Sequence, residues 1–214
     1  MVCGYRSLVL VEGRWPINGT SLRNALVFMI VALAIFWATK KQVRPSDRTS
    51  AKARETYLGL RDLILRGSRT KLSLPPTTAP NEPWGVVMDW GMGSGTVTVL
   101  ALSDGSASIY LSSGGGSLGG IGQEPIRNAA KKAVTLAAEV QSQMKPVSAF
   151  PLPATGQVQF YVLTDAGVYA AGASESDLQT GRSPFSKLGD GMQGVITEYR
   201  IFQERSQGPH SKNE

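Results

Sequence analysis

Residues 84–111, WGVVMDWGMGSGTVTVLALSDGSASIYL, decide the fold of this chain. Within them Val86, Met88 and Trp90 alternate with other residues, as do Val97, Val99 and Ala101, and then Ala107, Ile109 and Leu111. A period of two is the signature of extended chain with one face turned inward. Strands are therefore expected over residues 84–90, 96–103 and 107–112. The glycines of 91–95 supply a hairpin loop between the first two. The Asp104-Gly105 pair suggests a type I′ turn between the second and third, because both of its central residues need positive φ. Turns this tight force antiparallel pairing, so the three strands form a meander.

The pattern continues on both sides. Residues 50–66 read as a helix with Tyr57, Leu60, Leu63 and Ile64 along its apolar stripe and Gly67 as its stop. Residues 68–83 are a Pro- and Thr-rich linker. Residues 125–144 read as a second helix with Pro125 in its first turn. It buries a small-residue face of Ile126, Ala130, Ala133, Ala137, Val140 and Met144. Residues 145–156 are a Pro-rich connection, and 158–164 and 168–173 form a second hairpin across Asp165-Ala166-Gly167. A last helix starts at Ser183-Pro184, with Phe185, Leu188, Met192, Val195, Ile196, Tyr199 and Phe202 at three- and four-residue steps. The expectation is an α+β domain over 56–203, in the order α–βββ–α–ββ–α, with helices packed on a five-stranded antiparallel sheet. Residues 204–214 are a polar tail. Profilin-like, longin and roadblock domains are built from similar parts, an analogy of fold alone.

Residues 57–203 also resemble a group of small bacterial proteins to which no activity is assigned. The resemblance rests on YLGLRDL from Tyr57, WGVV from Trp84, LSDG from Leu102 and YLSSGGG from Tyr110. It continues with FYVLTDAGV from Phe160 and SKLGD from Ser186. Members of that group resemble soluble proteins without the first 45 residues. The resemblance implies no functional residues.

Ahead of the domain lie a basic segment (1–24), a hydrophobic one (25–39) and a basic stretch (40–55) that includes the helix start. Residues 25–38, ALVFMIVALAIFWA, hold no charge, but a membrane span wants about 20 apolar residues. Three readings of the segment stay open. It is a short transmembrane helix, with Trp37 as interfacial anchor and Arg23, Lys40 and Lys41 reaching the interfaces. It is a signal peptide with a poor cleavage site at Ala32-Leu33-Ala34. Or the natural product begins after it, near Met29 or Val43. As an anchor, the excess of basic residues after the segment leaves the domain in the cytoplasm.

The charge of the chain is unevenly placed. Residues 1–71 carry 13 Lys and Arg against 4 Asp and Glu, and residues 72–214 carry 9 against 12. A basic surface on the folded module, which nucleic-acid recognition requires, is not expected. One cysteine (Cys3) and one histidine (His210) exclude a disulfide framework and leave nothing for His-based metal or nucleophilic sites. No cofactor or metal is expected.

The candidate site is the glycine-rich run 114–122, GGGSLGGIG, between a strand and a helix. Gly114, Gly116 and Gly119 satisfy G-x-G-x-x-G, and Gly115, Ser117 and Gly120 complete the loop. Bare amides there could cradle phosphate. Against this stand the antiparallel context, Glu124 and Pro125 in the first turn, and the lack of a following lysine. A flexible or closely approaching connection explains the glycines equally. The spacing recurs at Gly189, Gly191 and Gly194, inside a helical pattern, where close helix–sheet or helix–helix packing accounts for it, or a helix that starts later, near Met192. Trp84, Trp90 and Tyr110 are a candidate aromatic interaction face. Asp89, on the strand face opposite Val86 and Met88, reads as a solvated residue or as an acid without an identifiable partner. The chemistry points away from an enzyme and toward an interaction or scaffold domain. Its partner would be another protein or a second copy, met through a sheet edge or the last helix. A ligand or nucleotide sensor using the glycine loop is the alternative.

Overall fold

The structure, a computed structural model, describes residues 47–206. The hydrophobic segment 25–39 and most of the polar tail lie outside the described residues. The chain opens with helix α1 (Asp47–Leu65). Strands β1 (Gly85–Met92), β2 (Gly95–Leu102), β3 (Ala107–Leu111) and the two-residue β4 (Gly116–Ser117) follow. Helix α2 spans Glu124–Val140, and the short strand β5 spans Lys145–Val147. Strands β6 (Gln157–Thr164) and β7 (Gly167–Ser174) lead to the short helix α3 (Glu175–Gln179) and to α4 (Ser186–Ser206).

The strands form one seven-stranded sheet in the order β4-β3-β2-β1-β6-β7-β5, every neighbouring pair antiparallel. This corrects the expected five-stranded sheet and its element order. The two additional strands close the sheet's edges, and each was hidden by its composition. Pro146 makes β5 read as a connection, yet an edge strand tolerates proline because one of its hydrogen-bonding sides is unused. The run of glycines makes β4 read as loop, yet Gly116 and Ser117 pair with Tyr110 and Ile109. Edges this short offer little backbone for strand addition.

Two turns also differ from expectation. Between β2 and β3 the Leu102 carbonyl accepts from Gly105 N–H, and Leu102 N–H donates to Ser106. Only Gly105 has positive φ (94°). The link is therefore a type I turn with a glycine bulge instead of a type I′ turn. Asp104 stabilises it by accepting from Ser106 N–H at 2.7 Å. The last helix starts at Ser186 rather than Ser183, because Ser183 closes a separate turn whose carbonyl accepts from Ser186 N–H.

Both faces of the sheet are covered. On one, α2 and α4 pack over Val86, Met88, Trp90, Val97, Val99, Ala101 and Phe160. Gly191 lets the two helices approach: a Cβ there would lie 2.7 Å from Leu136 Cδ1 and 3.6 Å from Ala133 Cα. On the other face, α1 and the connections around Leu74 and Phe150 cover Val87, Leu100, Leu102, Tyr161 and Leu163. Because this second layer exists, strand residues expected to be wet are buried. No helix among the described residues is long and apolar enough to cross a membrane.

Candidate functional site

The second layer is fastened through α1. Its predicted stripe is shifted: Leu63 is 64% exposed, whereas Tyr57, Arg61, Ile64 and Leu65 face the sheet. Arg61 meets Asp89 of β1, which is fully buried. Arg61 Nε and Nη2 donate to Asp89 Oδ2 at 2.8 and 2.5 Å, and Nη1 donates to the Phe150 carbonyl at 2.9 Å. Thr98 Oγ1 donates to Asp89 Oδ1 at 2.5 Å. Its proton being used there, Thr98 accepts from Tyr57 Oη at 2.8 Å. The guanidinium also lies 5.5 Å from the centre of the Tyr161 ring, and Tyr161 Oη donates to the Pro151 carbonyl at 2.8 Å.

Burial raises the Asp89 carboxyl above its usual range, and Arg61 and Thr98 oppose that rise without cancelling it. Burial lowers the Arg61 guanidinium, but the hydrogen bond and charge of Asp89 outweigh this and raise it. Burial and the Asp89 charge push the Tyr161 phenol up to about 12. Every strong donor in this cluster has an acceptor, and water does not reach the carboxylate. The cluster joins α1, β1, β2, β6 and the 148–153 connection, with Asp89 fully buried among them. Asp89 is thus neither solvated nor without a partner.

The glycine run is ordered by its neighbours. Gly114 N–H donates to Leu111 O, and Leu111 N–H donates to Gly115 O, which turns the chain back along β3. At Gly116 (φ 153°) a Cβ would stand 2.1 Å from the Ile109 carbonyl oxygen, so the edge strand requires glycine there. Gly119 caps a 3-10 turn over Gly120–Gly122. Gly120 is buried, and its N–H donates to Tyr199 Oη at 3.0 Å. Tyr199 in turn donates to the Ala107 carbonyl at 2.5 Å. Glu124 and Pro125 occupy the first turn of α2, as the sequence placed them. The Gly114 and Gly120 amides are thus engaged within the fold.

What the run does form is one wall of a cleft of about 360 Å³ against α1. Ala53, Thr56, Tyr57 and Leu60 make the helix side; Tyr110, Leu111, Gly114, Gly115, Gly116 and Leu118 make the other. No charged side chain lines it, and Leu118 at its margin is 67% exposed. A second cleft of about 300 Å³ lies on another side of Tyr57, between Arg54, Thr96, Ser112 and residues 152–155.

Of the residues singled out in the sequence, Gly114, Gly115, Gly116 and Tyr110 come together in the first cleft. Ser117 bonds Gln203 Nε2 at 2.7 Å instead, and Gly119 and Gly120 belong to the 3-10 turn. Trp84 and Trp90 are buried, Trp90 with its indole N–H on Glu175 at 3.1 Å, so neither presents a surface. Of the α1 contributors, Tyr57 and Leu60 stand in the sequence as part of an amphipathic stripe, which signals core before it signals a cleft, and Ala53 carries no signal there. Among the described residues no three His, Cys, Asp or Glu side chains gather as metal ligands. Comparison with protein-family models, with curated proteins and with solved structures finds no match.

Proposed function

We propose that this domain is a non-enzymatic interaction module that receives apolar side chains of a protein partner in the cleft between α1 and the glycine-rich edge of the sheet. The observation that carries this reading is the lining itself. Tyr57, Leu60, Tyr110 and Leu111 bound the space without a charged group, and a leucine stands exposed at the margin. A volume of about 360 Å³ is at the small end of the range for binding sites, suited to a few side chains. Phosphate is the poorer fit, since no Lys or Arg lines the cleft and Glu124 begins α2.

Selection of displayed peptides on the full chain tests the reading. Selected peptides are expected to carry Leu, Ile or Phe and to lose about tenfold in affinity, 1.4 kcal/mol, against Leu118→Asp. Peptides that bind equally well to that variant, or a selection that yields none, would overturn it.

A further inference from the structure

Resting on that reading, we propose that the cleft is regulated by the chain itself: the apolar stretch 25–38 (ALVFMIVALAIFWA) docks into it and competes with the partner. The cleft wall is built by α1, the element through which the N-terminal part of the chain enters the domain. At 1.5 Å per residue, Ala53 lies about 9 Å and Leu60 about 20 Å along α1 from Asp47. The eight residues 39–46 reach at most about 26–29 Å, enough to bring residue 38 to either end of the cleft.

The chemistry also matches. The stretch offers Leu26, Phe28, Ile30, Leu33, Ile35 and Phe36 to a space with no charged wall. Water makes their burial favourable at roughly 25 cal/mol per Å². A tether this short holds the stretch near the cleft at an effective concentration on the order of millimolar, so a weak contact suffices. A cleft that takes only a few side chains makes the contact weak enough for a partner to displace.

The test uses the full chain, as wild type, as the double variant Leu26→Asp/Ile30→Asp, and as Leu118→Asp. Amide exchange is read over 53–60 and 110–118, with protection of β1 and β2 as the control for an intact fold. The double variant is expected to exchange roughly tenfold faster over 110–118 than wild type and to bind the selected peptides about tenfold more tightly. Leu118→Asp is expected to raise exchange over 53–60. Unchanged exchange and peptide affinity in the double variant would overturn self-docking yet leave the cleft reading standing. Absence of peptide binding to every form would remove both. Transfer of wild type to phosphatidylcholine vesicles without a change over 110–118 would assign the stretch to the membrane and overturn the proposal.

Discussion

Replacing Arg61 by Met isolates the energetics of the second layer. The substitution keeps much of the aliphatic stem but removes two hydrogen bonds to Asp89 and one to the Phe150 carbonyl. It leaves a fully buried carboxylate with Thr98 as its remaining hydrogen-bond donor in the cluster. Removing one member of a buried pair costs about 3–5 kcal/mol, a large share of the roughly 5–15 kcal/mol that holds a domain folded. With a urea dependence of about 2 kcal/mol per molar, the unfolding midpoint drops by about 2 M. The buried Trp84 and Trp90 make tryptophan emission a suitable signal. The pH dependence supplies a second arm. With Arg61 gone, the upward push of burial on Asp89 is opposed mainly by Thr98. The folded variant then binds the Asp89 proton more tightly than the unfolded chain does, and lowering the pH favours the folded form. The gap between wild type and variant should therefore narrow between pH 7 and pH 5. Adding Asp89→Asn should restore part of the loss, with a coupling of about 2 kcal/mol. A cost for Arg61→Met below about 1 kcal/mol, or a gap independent of pH, would show that water reaches the carboxylate and would refute the argument.

Three further outcomes follow from particular contacts. Tyr161, with its phenol near 12, contributes stability that is complete below the unfolded value of about 10 and is lost as pH rises toward 12. Ultraviolet titration should show its phenolate appearing only with alkaline unfolding; a phenolate at pH 10 in the folded protein contradicts this. Gly120→Ala places a Cβ 2.4 Å from Ile126 Cγ2 and 2.6 Å from Tyr199 Oη and should cost about 1–3 kcal/mol in thermal unfolding, whereas at Gly122 a Cβ meets nothing within 4 Å and Gly122→Ala should be near neutral. Gly194 lies within α4 with open space around it, so Gly194→Ala should stabilise by about 1 kcal/mol; a loss instead would reveal a contact at that position.

The alternation in 84–111 placed the first three strands to within two residues and put Val86, Met88 and Trp90 on the face that α2 and α4 cover. The face of α2 was equally plain, since Ile126, Ala130, Ala133, Ala137 and Val140 are all buried. What periodicity could not give was the layer on the far side of the sheet. An arginine in an amphipathic helix reads as solvated, and an aspartate in a strand reads the same way. Only the crossing of α1 over β1 makes each the reason the other can be buried. Leu63 fails for the same cause: rotating the stripe to place Arg61 on Asp89 turns Leu63 outward. At the far end of α4, Phe202 continues the apolar spacing but stands 38% exposed, in a cleft it shares with Gln123 and Pro125 at the start of α2.

The glycine run shows why a spacing match is a statement about backbone before it is a statement about ligand. Gly114, Gly116 and Gly119 satisfy the phosphate-loop spacing because each position needs something a side chain would prevent, which is also what such a loop needs. Here the close neighbour at Gly116 is the Ile109 carbonyl, and the run serves as an edge strand. The buried Gly120 N–H is held by Tyr199, a residue 79 positions further along the chain. That hydroxyl also satisfies the Ala107 carbonyl at the start of β3, so one side chain of α4 secures both the run and the strand beside it. With the Gly114 and Gly120 amides held within the fold, the run also presents a surface of its own. Gly115 leaves an open wall, where a Cβ would meet nothing within 4 Å, while Gly114 comes close to Ala53 of α1 and Leu118 stands exposed beside them. Facing it are Tyr57 and Leu60, and with no Lys or Arg in the lining the cleft offers an anion no counter-charge, which is the ground on which apolar groups are proposed as its occupants.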